Sequence, residues 1–186
     1  MEKKKTNIPG LNIAFTIIII TEIMFFAGLV SAYIIAASKA MDWPPVDQPR
    51  LAPAISLSNM LILLLSAVVM YFFIKNSKKG IKNIALLGIT ILLGVIFLII
   101  QGSEWINLIN FGIQTSEGLY ASYFYSIIAV HGVHVLAGLL LLVILYFKIY
   151  KADNISDKLT LITSFGMFWY FVSLLWPVLY FLLYLY

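Results

Sequence analysis

The sequence predicts an all-α membrane bundle of five transmembrane helices, and three observations carry that prediction. First, 62% of the 186 residues are hydrophobic and only 11% are charged, whereas a soluble domain carries roughly 25% charged residues. So few charges cannot coat a soluble globule of this size, and so apolar a chain does not stay disordered. Second, five apolar runs each exceed the ~18 residues of a membrane-helix candidate. Third, the basic residues cluster in alternate connections. A β-barrel is excluded because runs such as Ile17–Ile20 and Leu61–Leu65 do not alternate.

The runs cover about 11–37, 53–74, 84–105, 121–147 and 159–186, in a single membrane domain of residues 1–186. The first follows Lys3, Lys4 and Lys5. It is about twice as long as a signal-peptide core and contains Glu22, so it reads as a retained helix. Pro44, Pro45 and Pro49 make the next connection a non-helical loop. Lys75, Lys78, Lys79 and Lys82 separate the second and third runs, and Lys148, Lys151 and Lys158 the fourth and fifth. Gly112 and Gly118 lie in the polar connection between the third and fourth. Ten of the 12 basic residues therefore fall on one side, with Lys39 and Arg50 on the other. The positive-inside rule places the N-terminus in the cytoplasm and the C-terminus outside. The net charge of +4 reports topology, and no nucleic-acid partner is expected.

Charged groups at mid-membrane cost about 2.5–3.5 kcal/mol on insertion scales, so each needs a reason. Glu22 lies near the middle of the first helix. It is either a proton-coupling carboxylate or a buried acid bonded to a neighbouring helix. His131 and His134 lie at a similar depth in the fourth helix, on one face at i, i+3. They form a proton relay or metal site, or else pack helix four against helix one, where Glu22 is an available partner; packing is favoured. Gln101 and Glu104 sit near the outer end of helix three beside Trp105. Glu104 is expected to reach water there. With no cysteine and two histidines on one face, catalytic, cofactor-binding and metal-ligating residues are not expected in this chain.

Packing faces are expected in two places. On helix one, Ala27 pairs with Ser31 and Gly28 with Ala32 at the four-residue spacing that lets helices approach closely. On helix five, Trp169, Ser173, Trp176, Tyr180 and Tyr184 recur at helical spacing. Pro177 removes a backbone donor and crowds the Ser173 carbonyl, so a kink is expected.

Several segments resemble the cytochrome c oxidase subunit III family of the haem–copper oxidases, in its short five-helix bacterial form. Thr21-Glu22-Ile23-Met24-Phe25-Phe26-Ala27-Gly28 is similar to the family's Ser-Glu-x-Met-Phe-Phe-Ala-Gly segment. Trp43-Pro44-Pro45 with Ser58-Asn59 resembles its Trp-Pro-Pro loop and following helix. Gln101-x-x-Glu104-Trp105 resembles its Gln-x-x-Glu-aromatic signature. The most specific likeness is Gly118-x-Tyr120-x-Ser122 followed by His131-Gly132-Val133-His134-Val135-x-x-Gly138. Trp169-x-Phe171-Val172 and Trp176 resemble the last helix, although Tyr170 and Ser173 stand where the family has His and Asp.

The resemblance implies a non-catalytic accessory subunit of a respiratory oxidase that reduces oxygen with electrons from cytochrome c or quinol. Its implied partners are catalytic subunit I, which it stabilises and supports in proton uptake, subunit II, and membrane lipids. Haem and copper would lie in the partner subunits, with bound phospholipid as this chain's own ligand, in a bacterial or archaeal plasma membrane. Two other functions remain open. One is the subunit III-like component of a nitric oxide reductase. The other is a small proton-coupled transporter or channel, against which the absence of an inverted repeat or a broken helix counts.

Overall fold

The computed structural model describes residues 9–41, 43, 53–110 and 119–185. The expectations that rest on Lys3, Lys4, Lys5, Pro44, Pro45, Pro49, Arg50, Gly112 and Gly118 lie outside these residues. The described chain forms five long helices: α1 Pro9–Lys39, α2 Pro53–Lys78, α3 Ile84–Asn110, α4 Leu119–Tyr150 and α5 Leu159–Tyr180. All five contain a stretch long and apolar enough to cross a membrane. Proline opens both α1 and α2, at the position where its missing N–H costs nothing.

The ends show why the helices stop. Gly80 adopts φ +79° after α2. Its N–H donates to the Ser77 carbonyl, and the Ile81 N–H donates to that of Asn76, both at 3.0 Å. This paired closure satisfies two of the last carbonyls of α2 and needs a residue that tolerates the left-handed conformation. Before α5, a 3-10 turn at Ile155–Lys158 is capped by the Asn154 side chain, which accepts from the Ser156 N–H at 3.0 Å. Helix α5 runs through Pro177 to Tyr180 and then widens into a π-helical turn, Phe181–Leu185.

Helix α5 sits at the centre, against α1, α2 and α4, while α3 closes the ring between α2 and α4. Half of its most apolar stretch is buried, against 6% for α1, so α1 lies at the edge, touching α4 and α5. In lipid, apolar side chains gain little by leaving the solvent, and close packing and hydrogen bonds hold helices together. Trp169 is the central piece of that packing. It is fully buried, and its indole N–H donates to Ser66 Oγ of α2 at 3.2 Å. Its ring lies against the glycine backbones of α3 and α4: a Cβ on Gly94 would come within 2.7 Å of its Cη2, and one on Gly138 within 3.0 Å of its Cε3.

Polar contacts define the two ends of the bundle. At one end Lys82 Nζ, after α2, donates to the carbonyls of Tyr150 (3.1 Å) and Ala152 (2.8 Å) at the end of α4. This places a cation at the negative pole of α4 and brings the two lysine-rich connections together. At the same end Asn12 of α1 accepts from Ser164 Oγ of α5 at 2.6 Å. At the other end Trp43 donates from its indole N–H to the Tyr33 hydroxyl at 3.1 Å, and its ring packs on Tyr120 of α4.

Candidate functional site

Glu22 is the fourteenth of the 31 residues of α1, and His134 the sixteenth of the 32 of α4. Their matched depth lets them meet: Glu22 Oε2 lies 2.9 Å from His134 Nε2. The other ring nitrogen, Nδ1, lies 2.7 Å from the Val130 carbonyl oxygen. A carbonyl only accepts, so Nδ1 carries a hydrogen. Two bare lone pairs would repel at 2.9 Å, so one further proton lies between Nε2 and Oε2. The pair is then either carboxylic acid with neutral imidazole, or carboxylate with imidazolium. Both forms have zero net charge, which is what a low-dielectric setting favours. The Phe26 ring packs against the imidazole with centroids 5.2 Å apart. The side chains stay 27% (Glu22) and 17% (His134) exposed at the bundle surface, so a proton donor or a partner helix can reach them.

His131 faces elsewhere. Three residues before His134 and about 60° short of a full turn from it, it points inward and is buried. Trp176 stacks on it at 4.9 Å and 24°, and Phe97 meets it edge-on at 6.3 Å. Neither ring nitrogen has a hydrogen-bond partner, and the buried Ser173 Oγ and Trp176 Nε1 also lack one. The shared face read from the i, i+3 spacing shows in Phe26 of α1, which meets both rings (6.4 Å to His131, 5.2 Å to His134); Glu22 then takes His134, while Trp176 and Phe97 enclose His131. No group of three metal-ligating side chains occurs among the described residues.

Glu104 corrects the expectation that it reaches water, because it is buried. Its Oε1 accepts from Ser56 Oγ at 2.8 Å and its Oε2 from Gln101 Nε2 at 3.2 Å. Gln101 Nε2 also lies 3.5 Å from the Tyr184 hydroxyl, and Gln101 Oε1 accepts from Asn59 Nδ2 at 3.3 Å. The cluster joins α2, α3 and the end of α5. Sequence reasoning missed Ser56 and the role of Asn59; their i, i+3 spacing in an apolar helix was the available signal.

The small-residue face of α1 lies on the outside of the bundle. Ala27, Gly28 and Ser31 are exposed, and a Cβ on Gly28 would meet nothing within 4 Å. Among the described residues no helix packs there, because α1 turns its Glu22–Phe26–Tyr33 side inward. Trp169, Ser173, Trp176 and Tyr180 of α5 are buried, Tyr184 is half-buried, and Gly138 lies under Trp169.

Comparison with known proteins gives one consistent result. Residues 2–186 match the family model described as cytochrome c oxidase subunit III. The chain is 33% identical over 176 residues to cytochrome c oxidase subunit 3 of Synechocystis sp., covering 90% of this chain and 72% of that protein. It is 29% identical over 171 residues to the probable cytochrome c oxidase subunit 3 of Mycobacterium leprae (88% and 82% covered). It is 28% identical over 173 residues to the cytochrome bo(3) ubiquinol oxidase subunit 3 of Pseudomonas aeruginosa (92% and 82% covered).

Proposed function

Because this chain belongs to the cytochrome c oxidase subunit III family, we propose that it acts as the non-redox accessory subunit of a haem–copper terminal oxidase. It assembles with the catalytic subunit I, where haem and copper reside, and with subunit II. Cytochrome c and quinol are both open as electron donors, since relatives of each kind are similar to it. The plasma membrane of a bacterium or archaeon is its place, with the lysine-rich end of the bundle in the cytoplasm. The meeting of Lys82 with the end of α4 supports one basic side, on which the positive-inside rule acts.

The Glu22–His134 bond carries the mechanistic reading. It fixes α1 to α4 at mid-membrane and stores one proton between two bases. A proton arriving at the exposed edge of Glu22 converts the pair to carboxylic acid plus imidazolium. Passing that proton on restores the neutral pair. In this way the pair buffers proton supply to subunit I while holding α1 in place.

The test is purification through a tag on this chain in mild detergent. A haem spectrum and oxygen consumption by the co-purifying complex are expected. A complex without haem, or one that reduces nitric oxide and not oxygen, refutes the assignment. Glu22→Gln keeps a donor for His134 Nε2 but removes the exchangeable proton. It should leave assembly nearly intact and slow proton uptake or shorten sustained turnover. Unchanged uptake and turnover would leave the pair a packing contact only.

A further inference from the structure

The geometry points to a docking seam along the α1–α4 edge for a transmembrane helix of another subunit, one that sets a neutral hydrogen-bonding side chain opposite Glu22. Ionisable groups inside membrane segments almost always face the interior of a helix bundle or a water-filled cavity. Within this chain Glu22 and His134 break that pattern. Both side chains stay partly exposed on the outside of the five helices, near the middle of α1 and of α4. The surface around them is apolar. Ile18 and Phe25 lie about 40° and 60° around α1 from Glu22, on the side away from Asn12 and its α5 contact, and both are exposed. Val130 and Ala137 flank His134 on α4 and are half-buried. His134 occupies Glu22 Oε2, and Oε1 has no hydrogen bond among the described residues. One carboxyl oxygen therefore faces outward at mid-membrane, and the pattern is restored when another helix makes this edge an interior.

Depth and charge select the occupant. Water and lipid headgroups lie at the membrane faces, and the acyl chains that reach the middle carry no donor. A helix brings a polar side chain to that depth with its own backbone satisfied. The side chain must also be neutral. Glu22 and His134 together have zero net charge in both of their proton arrangements, so a charged partner would leave one charge uncompensated in a low dielectric. A hydroxyl or amide donating to Oε1 leaves none, and hydrogen bonds of this kind hold membrane helices together. The same group is the neighbour through which a proton reaches or leaves Glu22. The inference rests on the shared-proton reading of the pair, and it needs a membrane complex but not an oxidase.

The test uses the complex purified through a tag on this chain. A photo-crosslinking analogue, benzoylphenylalanine, takes the place of Phe25 in one version and of Ile18 in another, and the joined peptides are identified by mass spectrometry. Both positions should join the same transmembrane segment of another subunit, within a turn of a serine, threonine, asparagine, glutamine or tyrosine. Replacing that partner residue by an apolar one should speed the loss of this chain from the complex in detergent by about threefold. The same replacement should add nothing when combined with Glu22→Leu, which has no Oε1 to bond. Cross-links to lipid alone or to a second copy of this chain overturn the proposal. So does a joined segment with only apolar or charged residues at that depth, and so does an assembled complex that gives no cross-link from either position. A complex without haem that gives the expected cross-link refutes the oxidase assignment and supports the docking seam.

Discussion

Replacing Gly94 by alanine drives a methyl group into the indole of Trp169. The new Cβ would stand 2.7 Å from Trp169 Cη2, 3.0 Å from its Cζ2 and 2.7 Å from Leu139 Cδ2. Carbon atoms settle at about 3.5–4.0 Å, so these neighbours must give way by roughly 0.5–1.3 Å. Leu139 has rotamers to spare. The indole does not: its N–H is bonded to Ser66, and its far edge rests on Gly138. Overpacking of this kind costs about 1–3 kcal/mol, and the gain in helix propensity returns at most about 1 kcal/mol. The expected net loss is about 1–2 kcal/mol. Gly102→Ala is the control in the same helix, because its Cβ would meet nothing within 4 Å; it should be neutral or slightly stabilising. Trp169→Phe removes the offending ring edge, so in that background Gly94→Ala should cost much less. Equilibrium unfolding of the purified protein in mixed micelles, followed by circular dichroism, reads all four variants. The reasoning is refuted if Gly94→Ala matches the unsubstituted protein, if Gly102→Ala loses as much, or if Trp169→Phe brings no relief.

Substitutions at three other positions test separate contacts. Glu22→Leu leaves His134 Nε2 without its partner and should lower stability by about 1 kcal/mol in the same unfolding assay, while Glu22→Gln should stay within half of that loss. Glu104→Leu strands the donors of Ser56 and Gln101 in a buried site and should cost about 1–3 kcal/mol; Glu104→Gln, which retains one acceptor, should cost less. Asn12→Leu removes the acceptor for Ser164 and should weaken the hold of α1 on α5 by about 0.6 kcal/mol. Faster proteolysis within α1, with the other four helices unaffected, would register that change.

The helices were legible because a membrane span imposes a length and a polarity that no other element shares. The meeting of Glu22 with His134 was open to inference because depth along two spans can be counted and charges at mid-membrane seek partners. Rotation was harder. The i, i+3 pair His131 and His134 differs by about 60° around α4, and that is enough to give one side chain to Glu22 and bury the other among aromatic rings. The burial of Glu104 was hidden because its donor Ser56, and Asn59, which bonds its other donor Gln101, sit on another helix as ordinary-looking small polar residues. The small-residue face of α1 is silent on its partner for a related reason: spacing shows that a close approach is permitted, and carries nothing about which neighbour makes it.

Helix α1 is apolar on every side, so hydropathy does not tell it which side to turn inward. That choice rests on residues such as Asn12, Glu22, Phe26 and Tyr33, which fall within about 80° of one another around the helix. Their contacts occur near one end, at the middle and near the other end. They act like the teeth of a key. Any apolar side chain should be interchangeable at the outward positions Ile13, Ile17, Ile20 and Met24, all more than half exposed. A single inserted residue between Glu22 and Tyr33 would instead turn the upper tooth by about 100° and unseat the helix, although composition, length and mean hydropathy would hardly change.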